Sequence, residues 1–157
     1  MHPQTTRQTT RRTFISAGAL GAAALLAAPS RSEARDWTGA EKANVKVVND
    51  FCAAWVSHDP DKIASYMADD CLARISETQP PTKGRAALVD ALKALLQRLD
   101  KVEIEVVETF AIGSTVLNDR IDYVTRGGMR TPVRVAGFFV VKDGKIAEWT
   151  DYVVRNA

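Results

Sequence analysis

The chain has 157 residues, 21 of them Lys or Arg and 19 Asp or Glu, which gives a formal net charge of +2 at pH 7. Residues 1–34 hold four of the arginines and one glutamate, so the other 123 residues carry 17 basic and 18 acidic side chains, a net charge of −1. Because no basic surplus remains beyond residue 34, nucleic acid and anionic membrane surfaces are poor partners. A segment of this size forms one domain whose core needs no metal or disulfide.

The first predicted element is an apolar, alanine-rich stretch over residues 17–28, preceded by Arg11-Arg12 in a region without acidic residues. This arrangement resembles a twin-arginine export signal. The small-x-small sequence Ser32-Glu33-Ala34 predicts cleavage, with a signal over 1–34 and a mature domain over 35–157. Since spanning a bilayer takes about 20 strongly apolar residues, we expect no stable membrane anchor. Such a signal implies export by the twin-arginine translocase and a periplasmic location.

Three helices are predicted in the first half of the mature domain. Thr38-Gly39-Ala40-Glu41 is a capping-box pattern followed by apolar residues at helical spacing, which predicts a helix over 39–57. Asp59-Pro60 predicts a short second helix ending near Met67, because aspartate caps helices and proline suits the first helical position. A stripe of leucines predicts a third helix over 85–99.

The other segments predict strands, loops and turns. We expect a short strand over 71–76 and a proline-rich loop over 78–84. After Asp100 the apolar pattern changes from helical to alternating, and glycine-containing turns separate four predicted strands. These strands cover 102–112, 116–125, 132–141 and 145–154. Helices followed by a meander predict an α+β domain, with three N-terminal helices packed on a curved, mostly antiparallel sheet.

Charged residues interrupt the alternating pattern of two predicted strands. Arg120 and Asp122 lie in the second long strand, and Asp151 lies in the last one. Two carboxylates and one guanidinium favour acid–base chemistry, because an arginine shared between two acids lets them hold different protonation states. The alternative is a solvated face on which Arg120 and Asp122 form an ion pair of little energetic value.

The cysteine and histidine content argues against other kinds of site. Cys52 and Cys71 could pair in an oxidising compartment or remain buried thiols, and the sequence leaves both alternatives open. The mature segment has one histidine, His58, in a predicted turn. We therefore expect neither a metal site nor histidine-based nucleophilic catalysis.

The order of the elements resembles the nuclear transport factor 2-like fold, a conical α+β barrel with a deep pocket. Five segments of this chain are also similar to limonene-1,2-epoxide hydrolases, and the similarity covers nearly all of the mature chain. These segments are Pro80-Pro81-Thr82-Lys83-Gly84-Arg85, Val107-Glu108-Thr109-Phe110-Ala111-Ile112-Gly113-Ser114, Asp119-Arg120-Ile121-Asp122, Gly137-Phe138-Phe139-Val140 and Asp143-Gly144-Lys145-Ile146-Ala147-Glu148-Trp149-Thr150-Asp151-Tyr152.

The resemblance implies a reaction and a set of catalytic residues. In that family one aspartate protonates the epoxide oxygen, a second aspartate deprotonates water, and an arginine bridges the two. By position, Asp122 is the acid, Asp151 the base and Arg120 the bridge. The implied activity is hydrolysis of a small epoxide to a vicinal diol, without cofactor or metal.

The chain departs from that family at the residues that hold the water. The family uses a tyrosine and an asparagine on the first short strand, and the matching positions here are Arg74 and Ser76. We expect these two residues, together with Phe138 and Trp149, to contact the ligand. A second cation at Arg74 either lowers the pKa of Asp151 and weakens it as a base or reshapes the pocket for an anionic ligand, and both alternatives argue against limonene epoxide itself. The expected ligand is a small apolar or weakly acidic molecule.

The resemblance leaves other functions open. Ketosteroid isomerases of the same fold use a tyrosine and an aspartate where this chain has Phe51 and Ile75. SnoaL-like polyketide cyclases use acid–base aspartates in the same cone. A third alternative is a non-catalytic periplasmic module that binds a small molecule. Relatives also form homodimers through the outer sheet face, so a homodimer is an expected assembly.

Overall fold

The structure is a computed structural model that describes residues 36–154. The predicted export signal and its cleavage site lie outside these residues and stay predictions. Within the described range, no helix is both long enough and apolar enough to cross a bilayer.

Helix α1 spans Gly39–Ala54 and begins at the predicted capping box. Thr38 Oγ1 accepts a hydrogen bond from the Glu41 backbone N–H (3.2 Å), and Glu41 Oε2 accepts one from the Thr38 backbone N–H (2.8 Å). The α-helix ends before the predicted Ser57, since Trp55–Ser57 form a 3₁₀ turn. This turn closes at His58, which has a left-handed backbone (φ 55°).

The two remaining helices are shorter than predicted. Helix α2 spans Pro60–Ala64, and its cap Asp59 accepts hydrogen bonds from two backbone N–H groups of the first turn. Helix α3 spans Arg85–Leu96 and buries one stripe of leucines, as predicted. Its last turn ends three residues before the predicted Leu99.

One sheet contains all six strands, in the spatial order β2-β1-β6-β5-β4-β3. All neighbouring pairs are antiparallel except β1 and β6, which are parallel. The predicted α+β fold with a mostly antiparallel sheet is therefore confirmed. The strands are β1 (Met67–Arg74), β2 (Thr82–Lys83), β3 (Lys101–Ile112), β4 (Thr115–Arg126), β5 (Met129–Lys142) and β6 (Lys145–Val153).

The prediction that the second helix ends near Met67 was wrong, because β1 already begins at Met67. Met67 pairs with Ile146 of β6, and the Ile146 backbone N–H donates to the Tyr66 carbonyl (2.9 Å). Pairing with a strand distant in sequence therefore overrides the local helical signal. The predicted proline loop is also not wholly irregular, since Thr82–Lys83 pair with β1.

The hydrophobic core lies between the helices and one face of the sheet. Four aromatic rings meet there edge to face, and the Phe51 ring lies 5.1 Å from Trp149, 5.9 Å from Phe139 and 6.2 Å from Trp55. Cys52 and Cys71 are buried in the same core as free thiols. We call the core side of the sheet the inner face and the opposite side the outer face.

Candidate functional site

A buried arginine forms the centre of the candidate site. Alternation along β4 puts Arg120 on the inner face, where its side chain is only 1% exposed. Arg120 Nε donates to Asp122 Oδ1 (2.8 Å), and Nη2 donates to Asp151 Oδ2 (2.5 Å) and more weakly to Asp122 Oδ2 (3.3 Å). The structure thus excludes the alternative of a solvated ion pair. We call Arg120, Asp122 and Asp151 the acid–arginine cluster.

Arg120 stays charged in spite of its burial. Burial in itself disfavours the cation, but the carboxylates of Asp151 and Asp122 outweigh this effect and raise the pKa of Arg120 above its ordinary value. A permanent positive charge is therefore held between the two acids. A buried charge needs such partners, because an unpaired one costs several kcal/mol.

Asp151 is the more enclosed of the two acids, with its side chain 7% exposed. Burial raises the pKa of Asp151 to about 6, although hydrogen bonds from Arg120 and Trp149 oppose this effect. Trp149 Nε1 donates to Oδ1 (2.6 Å) and Arg120 donates to Oδ2, so both oxygens accept from donors. This arrangement keeps Asp151 a carboxylate near neutral pH while leaving it basic enough to accept a proton.

The guanidinium reaches Asp151 by crossing over Gly137. Strand β5 lies between β4 and β6, and Gly137 pairs with Asn118 on one side and with Asp151 on the other. A Cβ at this position would overlap Arg120 Nη1 and would lie 2.5 Å from Asn118 Oδ1. Since strands are spaced about 4.8 Å apart, the arginine spans roughly 10 Å of sheet through a gap that only glycine leaves open.

Asn118 connects the cluster to the core. Its Oδ1 accepts from Arg120 Nη1 (3.1 Å), and its Nδ2 donates to Cys52 Sγ (3.5 Å). Burial raises the pKa of the Cys52 thiol to about 11, so the thiol is neutral. Asn118 therefore fixes the third side of the guanidinium without adding charge.

An apolar cavity of about 250 Å³ adjoins the cluster. Two acids, Asp122 and Asp151, and one cation, Arg126, are its charged lining residues. Trp55 also lines it, and the buried Trp55 Nε1 has no hydrogen-bond partner among residues 36–154. The remaining lining residues are Ile75, Leu95, Leu99, Val102, Val124, Val133, Val135 and Val153. The cavity can thus hold an apolar molecule against two carboxylates.

A larger cavity, of about 610 Å³, lies elsewhere and contains none of the acid–arginine cluster. Its lining is mostly charged, and two of its residues, Arg85 and Asp69, form an exposed ion pair. The smaller cavity is the better candidate, since it combines an apolar wall with buried acids. In the part of the chain that the structure describes, no group of three or more His, Cys, Asp or Glu side chains could hold a metal ion.

The structure brings together four of the seven predicted site residues and separates three from the cavity. Arg120, Asp122, Asp151 and Trp149 are in contact, as described above. Phe138 does not line the cavity: it pairs with Leu117 on the outer face. Arg74 and Ser76 also do not line it.

The register of β1 explains the displacement of Arg74 and Ser76. Ala73 is buried and Ile75 lines the cavity, so Arg74 is exposed on the opposite side. A shift of one residue moves a side chain to the other face of a strand. The Ser76 hydroxyl instead bonds to the Thr78 hydroxyl (2.9 Å) in the following turn. The apolar residues Ala73 and Ile75 therefore occupy the inward positions.

Three functional candidates were missed from the sequence. Gly137 had a detectable signal, because a glycine inside an alternating strand often marks a close approach of another group. Asn118 is a polar residue on the predicted inner face. Arg126 follows Asp122 at an interval of four, so alternation places it on the same face.

Comparison with known proteins supports the fold and identifies the domain family. The family model described as the SnoaL-like domain matches residues 48–149. The LEH-like epoxide hydrolase of M. tuberculosis is similar in structure at 25% sequence identity and a TM-score of 0.65, over 73% of this chain and 84% of that protein.

Two further solved structures, both under 25% identical, show the fold alone. A SnoaL-like polyketide cyclase of Jannaschia sp. CCS1 is 15% identical with a TM-score of 0.66, over 76% of this chain and 90% of that one. The epoxide hydrolase/cyclase-like enzyme SalBIII, which functions in pyran ring formation in salinomycin, is 17% identical with a TM-score of 0.66. The match covers 73% of this chain and 92% of SalBIII.

Proposed function

Because the chain belongs to the SnoaL-like domain family, we propose that its apolar cavity hydrolyses a small epoxide to a vicinal diol. The observation that carries this proposal is the buried Arg120 held between two carboxylates that both line the cavity. The similarity to an LEH-like epoxide hydrolase supports the same chemistry. General acid and general base catalysis on one substrate needs two such groups in different protonation states.

The reaction balances with these residues alone. Asp122 gives a proton to the epoxide oxygen as its ring C–O bond breaks, and Asp151 takes a proton from the water whose oxygen bonds to the ring carbon. The diol contains one oxygen from the epoxide and one from water. Exchange with solvent then returns a proton to Asp122 and removes one from Asp151.

The hydrogen bonds favour this assignment of roles. Both oxygens of Asp151 accept close hydrogen bonds, which favours the carboxylate required of a base. Within the described part of the chain, Asp122 Oδ2 has only the 3.3 Å contact with Arg120, and the side chain is 16% exposed and lines the cavity. Asp122 therefore has an oxygen able to present a proton to a ligand.

Turnover of a panel of terpene, styrene and alkyl epoxides in oxygen-18 water tests the proposal. We expect labelled diol from the wild-type chain and none from Asp122→Asn or Asp151→Asn, with both variants still folded by circular dichroism. Asp119→Asn is the matched control, because Asp119 lies on β4 but pairs with the exposed Arg134 (2.6 Å). Diol formation by either active-site variant at the wild-type rate would contradict the mechanism.

A second candidate is a non-catalytic binding module with the same cavity. The observation in its favour is that two apolar residues, Ala73 near the end of β1 and Ile75 just after it, point inward. Side chains that hold the water were expected on this strand. Absence of product from a folded chain that still binds the epoxides would support this function over hydrolysis.

A further inference from the structure

We propose that the substrate carries an anionic group, such as a carboxylate, which pairs with Arg126 at the mouth of the apolar cavity. This inference rests on the proposed hydrolysis and names the class of its substrate. The ligand is then an amphiphile with three parts: an epoxide at the acid–arginine cluster, an apolar body and a negative end at Arg126.

The side chains on the inner face of β4 follow the same order as the three parts of this ligand. Asp122, Val124 and Arg126 follow one another at intervals of two residues, and all three line the cavity. Four residues of an extended strand span about 13 Å between Asp122 and Arg126. The wall between the two charged positions is apolar, so a hydrocarbon segment fits there.

The charges along the cavity set the direction in which such a molecule enters. At the inner end the guanidinium of Arg120 is shared by two acids, and the carboxylate of Asp151 already balances its charge, so no positive charge remains there for a ligand anion. Arg126 is the cation among the residues that line the cavity. A carboxylate is therefore stabilised at the mouth, which leaves the neutral epoxide end to reach Asp122 and Asp151.

Arg126 is also free to bind a ligand. Among residues 36–154 it forms no ion pair or side-chain hydrogen bond, whereas Arg134 of the neighbouring strand pairs with Asp119. Arg130 lies over the Tyr123 ring at 3.5 Å. Asp100, which directly precedes β3, accepts from the Gly128 backbone N–H (2.8 Å). Arg126 thus differs from Arg130 and Arg134 in having no partner among the described residues.

Hydrolysis of 7,8-epoxyoctanoate and of the neutral 7,8-epoxyoctanamide by the full chain tests this inference. We expect kcat/KM to favour the carboxylate by about fivefold at low salt, the size of a partly exposed ion pair, and the preference to shrink as salt screens it. Arg126→Gln should bring the ratio of the two kcat/KM values to one, and Arg126→Lys should keep part of it. Arg74→Gln removes the same charge outside the cavity and should leave the ratio as in the wild type.

The outcomes separate this inference from the proposed function. Equal turnover of both epoxides by the wild type, unchanged in ratio by Arg126→Gln, would overturn the inference and leave hydrolysis standing. If neither epoxide is hydrolysed, binding of octanoate and octanamide is followed by ¹H–¹⁵N NMR of the full chain, and the proposed function fails if the epoxide panel also gives no diol. Tighter octanoate binding that is lost in Arg126→Gln would support the anion site, and equal or absent binding would overturn it.

Discussion

Gly137 lies directly under the guanidinium of Arg120, at the point where that side chain crosses β5 between Asn118 and Asp151. The position of the charge that Asp122 and Asp151 share is therefore set by a residue with no side chain. A backbone position on a third strand thus leaves the space in which the guanidinium lies between the two aspartates.

Gly137→Ala should displace the arginine. The added methyl group overlaps Nη1, so we expect the free energy of unfolding to fall by about 1–3 kcal/mol and kcat/KM to fall at least tenfold. Chemical denaturation and epoxide turnover measure the two effects. Gly39→Ala is the control, because a Cβ at Gly39 meets no atom within 4 Å. A variant with wild-type turnover would show that the crossing tolerates a side chain.

Asn118 should position Arg120 through its hydrogen bond to Nη1. Asn118→Leu leaves that buried N–H without an acceptor and should cost about 1–3 kcal/mol of stability together with much of the turnover. Asn118→Asp keeps the acceptor but adds a negative charge beside Arg120, which should raise the apparent pKa of Asp151. The acidic limb of the pH–rate profile would then move to higher pH. An acidic limb that stays at the wild-type pH in Asn118→Asp would contradict this coupling between position 118 and Asp151.

The pH dependence of turnover should reflect the ionisation of Asp151. Because burial raises the pKa of Asp151 to about 6 and the base must be ionised, kcat/KM should fall below about pH 6. The profile from pH 4.5 to 8 measures this limb, and Asp119→Asn should leave its midpoint unchanged. A flat profile between pH 5 and 8 would exclude Asp151 as the base.

Ionisation of Asp151 should lower the stability of the folded chain, although turnover requires it. The folded chain holds the Asp151 proton up to about pH 6, whereas the unfolded chain releases it near pH 3.8. The contribution of Asp151 is therefore greatest below about pH 4 and is lost as the pH rises to about 6, by about 3 kcal/mol. Denaturation of the wild type and of Asp151→Asn across this range gives the difference. A wild type that gains stability relative to Asp151→Asn as the pH rises through this range would contradict the prediction.

The two cysteines should be unreactive in the folded chain. Burial raises the pKa of both Cys52 and Cys71, so little thiolate exists at pH 8. A thiol reagent such as Ellman's reagent should label neither residue in buffer and both in denaturant. Rapid labelling of the folded chain would show that one thiol is accessible, and absence of labelling after unfolding would show a disulfide.

The sequence predicted the centre of the site because alternation is a local property. An apolar–polar pattern along a single strand was enough to place Arg120 and Asp122 on one face of β4. The same pattern in the last strand placed Trp149 beside Asp151. These residues needed no knowledge of which strands are neighbours.

Features that depend on strand pairing were not predictable in this way. The register of β1 is set by its parallel pairing with β6, more than 70 residues away in the chain. Matching the family's positions therefore assigned Arg74 to the wrong face of β1 and Ser76 to a strand that ends before it. The role of Gly137 likewise appears only when β4 and β6 are known to flank β5.

The parallel pairing of β1 with β6 also determines how the domain can assemble. Strand β6 is the last described strand in the chain, yet it lies near the middle of the sheet, between β1 and β5. Until it inserts, both neighbours have an unpaired edge that can pair with another chain. Insertion of β6 pairs both of these edges and also places Asp151 next to Arg120. The candidate site is therefore completed in the same step that protects the sheet from aggregation.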